Sequence, residues 1–227
     1  QKLAELVKIH FHGHDKGLLA AMRSRKTACL QKEFWIAIDR HGFLLMATKK
    51  KAYGGIVGHF EFDEQEGLST HKNIVDALNE AMALLLESDP NVLIFGEDVG
   101  KNGGVFRVTD GLQERFGEER VFDTPLAEAG IVGTAIGLAA AGKRCIAEIQ
   151  FSGFVHVAYS QIVSNAARFR WRSRGDYPLS IVVRMPHGAG IRALEHHSES
   201  LEGIFAQIPG LKVVVPSNPY DGKGLLL

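Results

Sequence analysis

Phe122-Asp-Thr-Pro-Leu-Ala-Glu-Ala-Gly-Ile-Val-Gly133 reads as the end of a strand, a proline-marked turn and the opening of a helix built from small residues. Glu128 stands at its centre. A carboxylate in a first helical turn meets the positive end of the helix dipole. Here it does so in the apolar company of Ala, Gly, Ile and Val, so its protonation can be tuned. Two roles stay open on this stretch alone: a complement to the helix N-terminus, or a group for proton transfer.

Working outward, the flanking chain repeats the same strand-loop-helix grammar. Ile74, Leu78, Met82, Leu85 and Leu86 recur at helical spacing, and Ser88-Asp-Pro90 stops that helix. Val92-Leu-Ile-Phe95 is a continuous apolar run of strand length, as expected in a sheet covered on both faces. It empties into a glycine-rich loop from Gly96 to Phe106 that opens with Glu97 and Asp98. A short helix is expected over residues 109–116, and the helix after the focal turn should run to about Ala141, with Gly142 as its stop. Arg144–Ile149 reads as a strand, residues 155–172 as one long helix with arginines at its C-terminal end, and Leu179–Val183 as another strand. Helix 201–206, strand 213–215 and a helix after Pro219 complete the series. Strands alternating with helices over this length predict an α/β domain with a mainly parallel sheet.

Residues 1–70 have a different texture and are assigned as a separate small N-terminal segment of unknown role, with the main domain at 71–227. Phe34–Ala47 reads as two short strands around an Asp-Arg-His-Gly turn, and residues 53–67 as a Gly-rich acidic linker. His10-Phe-His-Gly-His-Asp15 could place alternating imidazoles on one face, but it lacks a fourth ligand at a recognised metal spacing and is read as a solvated turn. The chain has 227 residues, 45% of them apolar and 23% charged, enough to bury a core. Basic and acidic residues balance at 26 each, so no overall field draws in nucleic acid or an anionic membrane. Cys29 and Cys145 form no metal-like pattern and need no disulfide framework. The longest apolar run, residues 131–141, is about half the roughly 20 residues of a membrane span.

In open parallel sheets, ligands bind beyond the carboxyl ends of the strands. Glu97 and Asp98, residues 124–128, residues 150–154 and the Arg184–His197 segment all follow predicted strands, and their convergence marks the expected site. Neither GxxxxGK[ST] nor GxGxxG follows a strand, and no nucleophile elbow occurs. What remains is a carboxylate beside aromatics, an amide and a histidine. That set suits a flat heteroaromatic ring better than a phosphate chain.

GEDVGKNGGVFRVTDGL from Gly96, RVFDTPLAEAGIVG from Arg120, AEIQF from Ala147, QIVSNAARFR from Gln161, HSES from His197 and PGLKVVVPSNPYDGKGLL from Pro209 are long and specific strings. Through them, residues 72–227 closely resemble the beta subunits of thiamin-diphosphate-dependent 2-oxo acid dehydrogenases, with the branched-chain (2-oxoisovalerate) enzymes read as nearer than the pyruvate enzymes. The resemblance implies a transketolase-like pyrimidine-binding domain in which Leu126, Glu128, Gln150 and Phe154 surround the aminopyrimidine. It gives Glu128 the ring-nitrogen hydrogen bond that activates the cofactor, and gives His197, rather than His196, a place near substrate and incoming lipoyl group. Phe154 stands where relatives often have tyrosine. The implied reaction is oxidative decarboxylation of a 2-oxo acid, with the acyl group passed to a lipoyl acyltransferase partner.

The same resemblance implies partners. The magnesium and diphosphate site belongs to an alpha-type subunit, and no metal ligands are assigned to this chain. The expected assembly is a two-plus-two heterotetramer or a dimer of a fused chain, in the cytoplasm or, for a eukaryotic source, the mitochondrial matrix. The family's C-terminal domain is not seen before Leu227, so the chain is expected to be a fragment or a rearranged product carrying half a site. The alternatives are a pyruvate dehydrogenase beta subunit, a transketolase relative, and a truncated non-catalytic assembly module.

Overall fold

The computed structural model describes residues 32–38 and 72–227. Its strands are β1 (Lys32–Ile38), β2 (Val92–Gly96), β3 (Val121–Asp123), β4 (Arg144–Glu148), β5 (Ser180–His187) and β6 (Lys212–Val214). The α-helices are α1 (Ile74–Ser88), α2 (Leu112–Phe116), α3 (Glu128–Ala140), α4 (Ala167–Arg172), α5 (Glu202–Ala206) and α6 (Pro219–Leu226). The sheet order is β3-β2-β4-β5-β1-β6. β3, β2, β4 and β5 run parallel, and β1 is antiparallel to both of its neighbours. This is the α/β fold with a mainly parallel sheet that the alternating pattern predicts.

The apolar run of β2 divides between two cores because successive strand residues point to opposite faces. Leu93 and Phe95 pack with Ile131, Val132 and Ala135 of α3, whereas Val92 and Ile94 pack with Leu78, Ala81 and Met82 of α1. β4 repeats the division, with Cys145 and Ala147 on the α3 side and Ile146 on the α1 side. Helices therefore cover both faces, and function is pushed to the strand ends. Asn73 caps α1 by accepting from the Asp76 N–H, and α6 starts with Pro219 behind an Asn218 cap that accepts from Asp221 N–H.

Three elements differ from expectation. The segment predicted as one helix over 155–172 is a 3₁₀ turn at Ser152–Ala158, a π-helical turn at Gln161–Ala166 and then α4. Buried Val155 and Ala158 are three apart, matching the tight turn, and Ile162, Val163 and Ala166 face the core from the wider one. β5 runs on past Val183 to His187, because β1 pairs with it as far as Lys32↔His187 while β4 stops at Glu148↔Arg184. Pro186 thus lies where β5 has a neighbour on one side, the place in a sheet where proline's missing N–H is tolerated. The short helix expected from residue 109 begins at Leu112, after Gly111 at φ 72°. Of the two strands read over 34–47, β1 is the first. The second, the His10–Asp15 run, Cys29 and the linker lie outside the described residues.

Candidate functional site

The parallel strands deliver the site residues at one edge. Glu97 follows β2, Glu128 opens α3 just beyond β3, Gln150 follows β4, and Arg184 lies in β5 at the level where β4 ends. Glu97 and Glu128 are both buried, and Glu97 Oε1 has no hydrogen-bond partner among the described residues. Burial, then the charges of Glu128 and Asp98, push Glu97 above the ordinary carboxyl value, against a hydrogen bond from the Ala127 backbone N–H. The Thr124 hydroxyl oxygen, two elements away in sequence but at the same edge, is also buried without a partner among the described residues. A buried acidic corner with unmet acceptors calls for an N–H donor, and none of the described residues supplies one.

Around that corner the glycine-rich loop is held closely. Asp123 Oδ1 accepts from Gly100 N–H at 2.6 Å, and Thr109 Oγ1 donates to Val99 O at 2.7 Å. A Cβ on Gly104, at φ 79°, would stand 3.2 Å from Glu148 Oε1. Glu148 in turn accepts from Arg184 Nη2, and both side chains are almost fully buried. Gln150 Nε2 donates to Asp98 Oδ2 at 2.9 Å, which leaves the Gln150 carbonyl oxygen as an acceptor.

A second group is aromatic. The His197 imidazole meets Phe151 at 4.5 Å and Phe154 at 5.1 Å between centroids, both edge-on, and Phe106 joins Phe151 at 5.5 Å. His196 contacts Phe154 at 6.4 Å and lies 3.4 Å from Glu199 Oε1. The structure thus brings Phe154 and His197 together and places Gln150 beside Asp98, with Gln150 joined to the aromatic group through its chain neighbour Phe151. Leu126 is set apart by its exposure, at 81%. Glu97 and Phe151 lie in segments expected to converge on the site but carry no assigned role there, and Phe106, at the end of the glycine-rich loop, has no place in that expectation. Glu97 was legible as the first polar residue after a buried strand, whereas Phe106 and Phe151 carry no local mark that separates them from core phenylalanines.

Among the described residues, no group of three or more His, Cys, Asp or Glu could hold a metal, and no helix is long and apolar enough to cross a membrane. Cys145 is buried and its thiol pushed up to about 12, so it is no nucleophile at ordinary pH.

The family described as "Transketolase, pyrimidine binding domain" matches residues 71–227. The chain is 58% identical over 154 residues to a pyruvate dehydrogenase E1 component subunit beta of Acholeplasma laidlawii, covering 68% of this chain and 47% of that one. It is 59% identical over 155 residues to the subunit of the same name from Mycoplasma pneumoniae, with the same coverage of each chain. The corresponding Staphylococcus epidermidis subunit is 56% identical over 154 residues, again covering 68% and 47%. The chain therefore spans about half the length of these curated relatives. They are pyruvate enzymes, which corrects the expectation that placed the branched-chain type first. An acidic corner with unmet acceptors beside an aromatic group fits an aminopyrimidine, and the cofactor is thiamin diphosphate. With that fold and that site, the chain belongs to the transketolase pyrimidine-binding domain family.

Proposed function

We propose that this chain is the pyrimidine-binding half of a thiamin-dependent 2-oxo acid dehydrogenase of the pyruvate type, working with an alpha-type subunit and a lipoyl acyltransferase. The observation that carries this reading is the buried pair Glu97 and Glu128, with its orphaned Glu97 oxygen, at the carboxyl edge of the sheet. Thiamin diphosphate supplies the electron sink into which a 2-oxo acid loses carbon dioxide. The chain's part is to bind, orient and manage protons. Glu128, on the first turn of α3, holds the proton of a pyrimidine ring nitrogen at its carboxylate. Glu97 keeps its own proton to a higher pH than an ordinary carboxyl, which limits repulsion within the pair. The Gln150 carbonyl oxygen, oriented by the bond to Asp98, accepts from an exocyclic ring amine. Leu126 and Phe154 supply apolar surface to the ring, and His197 stands at the substrate side. The magnesium and diphosphate groups fall to the alpha-type partner.

The test is deuterium exchange at thiamin C2 in the enzyme assembled with its alpha-type partner. Glu128→Gln keeps the shape but cannot move the proton, so exchange should fall by about 10²- to 10⁴-fold. Near-normal exchange with intact cofactor binding would remove Glu128 from the mechanism. Turnover of 2-oxoisovalerate in preference to pyruvate would restore the branched-chain reading, and no turnover of either would favour the non-catalytic module.

A further inference from the structure

The loop between β5 and α5 carries His197, and its backbone is unusual. Arg192, Glu195 and His196 all have positive φ, at 56°, 33° and 61°, although none is glycine. Such conformations are strained for a residue that carries a Cβ and persist only where the surroundings impose them. At Glu195–His197 the imposed shape is a γ-turn. The Glu195 carbonyl accepts from His197 N–H at 2.7 Å across a central residue of positive φ, the rare and strained hand of that turn. The same carbonyl lies 2.7 Å from His197 Nδ1. A carbonyl can only accept, so Nδ1 must carry a proton there. In the neutral ring this leaves Nε2 as the acceptor.

What imposes the turn is visible beneath it. A Cβ at Gly153 would stand 2.2 Å from His196 O and 2.7 Å from both His196 C and Cα, so only glycine lets the turn settle on the 3₁₀ segment. Ser152 Oγ and Gly188 N–H both donate to Glu199 O, at 2.7 and 2.8 Å, and Ser198 Oγ donates to Ala193 O at 2.7 Å. The loop is therefore stitched on both sides of the strained residues. The His196 side chain is exposed and makes only loose contacts, with Phe154 and Glu199.

We infer that His196 and Gly153 are positioning residues whose backbones lock the neutral His197 imidazole in the Nδ1–H tautomer, so that Nε2 is held as the ring's acceptor for substrate or acyl transfer. The functional part rests on the reading given under Proposed function; the tautomer lock is a property of this chain alone. Imidazole ¹⁵N–¹H correlation spectra of the purified 227-residue chain, taken at a pH where His197 is neutral, read the lock directly. The parent and His196→Gly, which accepts positive φ without strain, should both show protonated Nδ1 and bare Nε2. His196→Pro cannot adopt that φ, and it should move the proton largely to Nε2. Gly153→Ala should do the same where it folds, and His196→Pro decides where it does not. A parent protonated at Nε2, or a His196→Pro spectrum like the parent's, overturns the lock. In the assembled enzyme, His196→Pro should lower kcat by about 10²-fold with cofactor affinity unchanged, and His196→Gly should restore it. An intact lock with no 2-oxo acid turnover in the parent would count against the functional reading and leave the tautomer assignment standing.

Discussion

Glu97 and Glu128 set the electrostatic terms of the site at the residue scale. Because Glu97 binds its proton more tightly in the folded chain than in the unfolded one, folding is favoured below its ordinary carboxyl value of 4.5, and that advantage is lost as pH rises through the raised value. Glu97→Gln should therefore raise the thermal midpoint at neutral pH, and the gain should shrink to nothing as pH falls below 4.5, measured by scanning calorimetry at several pH values. An equal gain at all pH values would trace the effect to packing instead. Arg184 and Glu148 pose the opposite case, a buried pair whose members depend on each other. Arg184→Met leaves Glu148 charged and uncompensated beneath the glycine-rich loop, and should cost about 3–5 kcal/mol in urea unfolding. Adding Glu148→Leu should recover most of that loss.

Elements in this fold meet at points where a side chain is forbidden. Gly210, at φ 96° between α5 and β6, would place a Cβ 2.1 Å from the Ala167 carbonyl at the start of α4. Gly210→Ala combines that collision with a backbone conformation worth about 1–3 kcal/mol by itself, so the urea midpoint should drop clearly while the site-edge contacts persist. The helical segment after β4 shows how packing chooses pitch. A 3₁₀ turn brings Gly153 under the His197 loop, and the following π turn returns Ile162, Val163 and Ala166 to the core. β1, which the sequence pattern assigns to a separate N-terminal segment, lies inside the sheet with both its edges paired, with β5 and β6. Removing residues 1–38 should leave two unpaired edges, and the shortened chain should aggregate where the full chain remains dispersed, as light scattering would read.

Among the described residues, apolar side chains in the loops near the candidate site and small residues along α3 stand exposed. Leu126 and Leu194 are exposed to 81% and 87%, and Gly133 and Gly137 of α3 have open space where a Cβ would stand. Closely approaching backbones from another subunit would fill such a face, in keeping with the proposed alpha-type partner. Titration calorimetry of thiamin diphosphate with magnesium into this chain should accordingly show little heat, and adding the partner should restore binding. Tight binding by the chain alone would overturn the half-site proposal.

The alternating strand and helix patterns decided the α/β class, because apolar period and turn residues act locally and survive any tertiary arrangement. Glu128 was legible for the same reason: a carboxylate opening a helix of small residues is a local feature, and its long flanking strings named the family. The tertiary structure alone decided what meets what. Glu97 acquires its raised affinity for a proton only when the fold buries it and brings Glu128 near, and Phe151, with Phe106 against it, joins the candidate site only when His197 is laid on it. The place of β1 between β5 and β6, and the close approach of His196 to Gly153, depend on contacts far apart along the chain. Pairing across such separations leaves no period in the sequence, since each partner's local pattern is satisfied equally well by other neighbours.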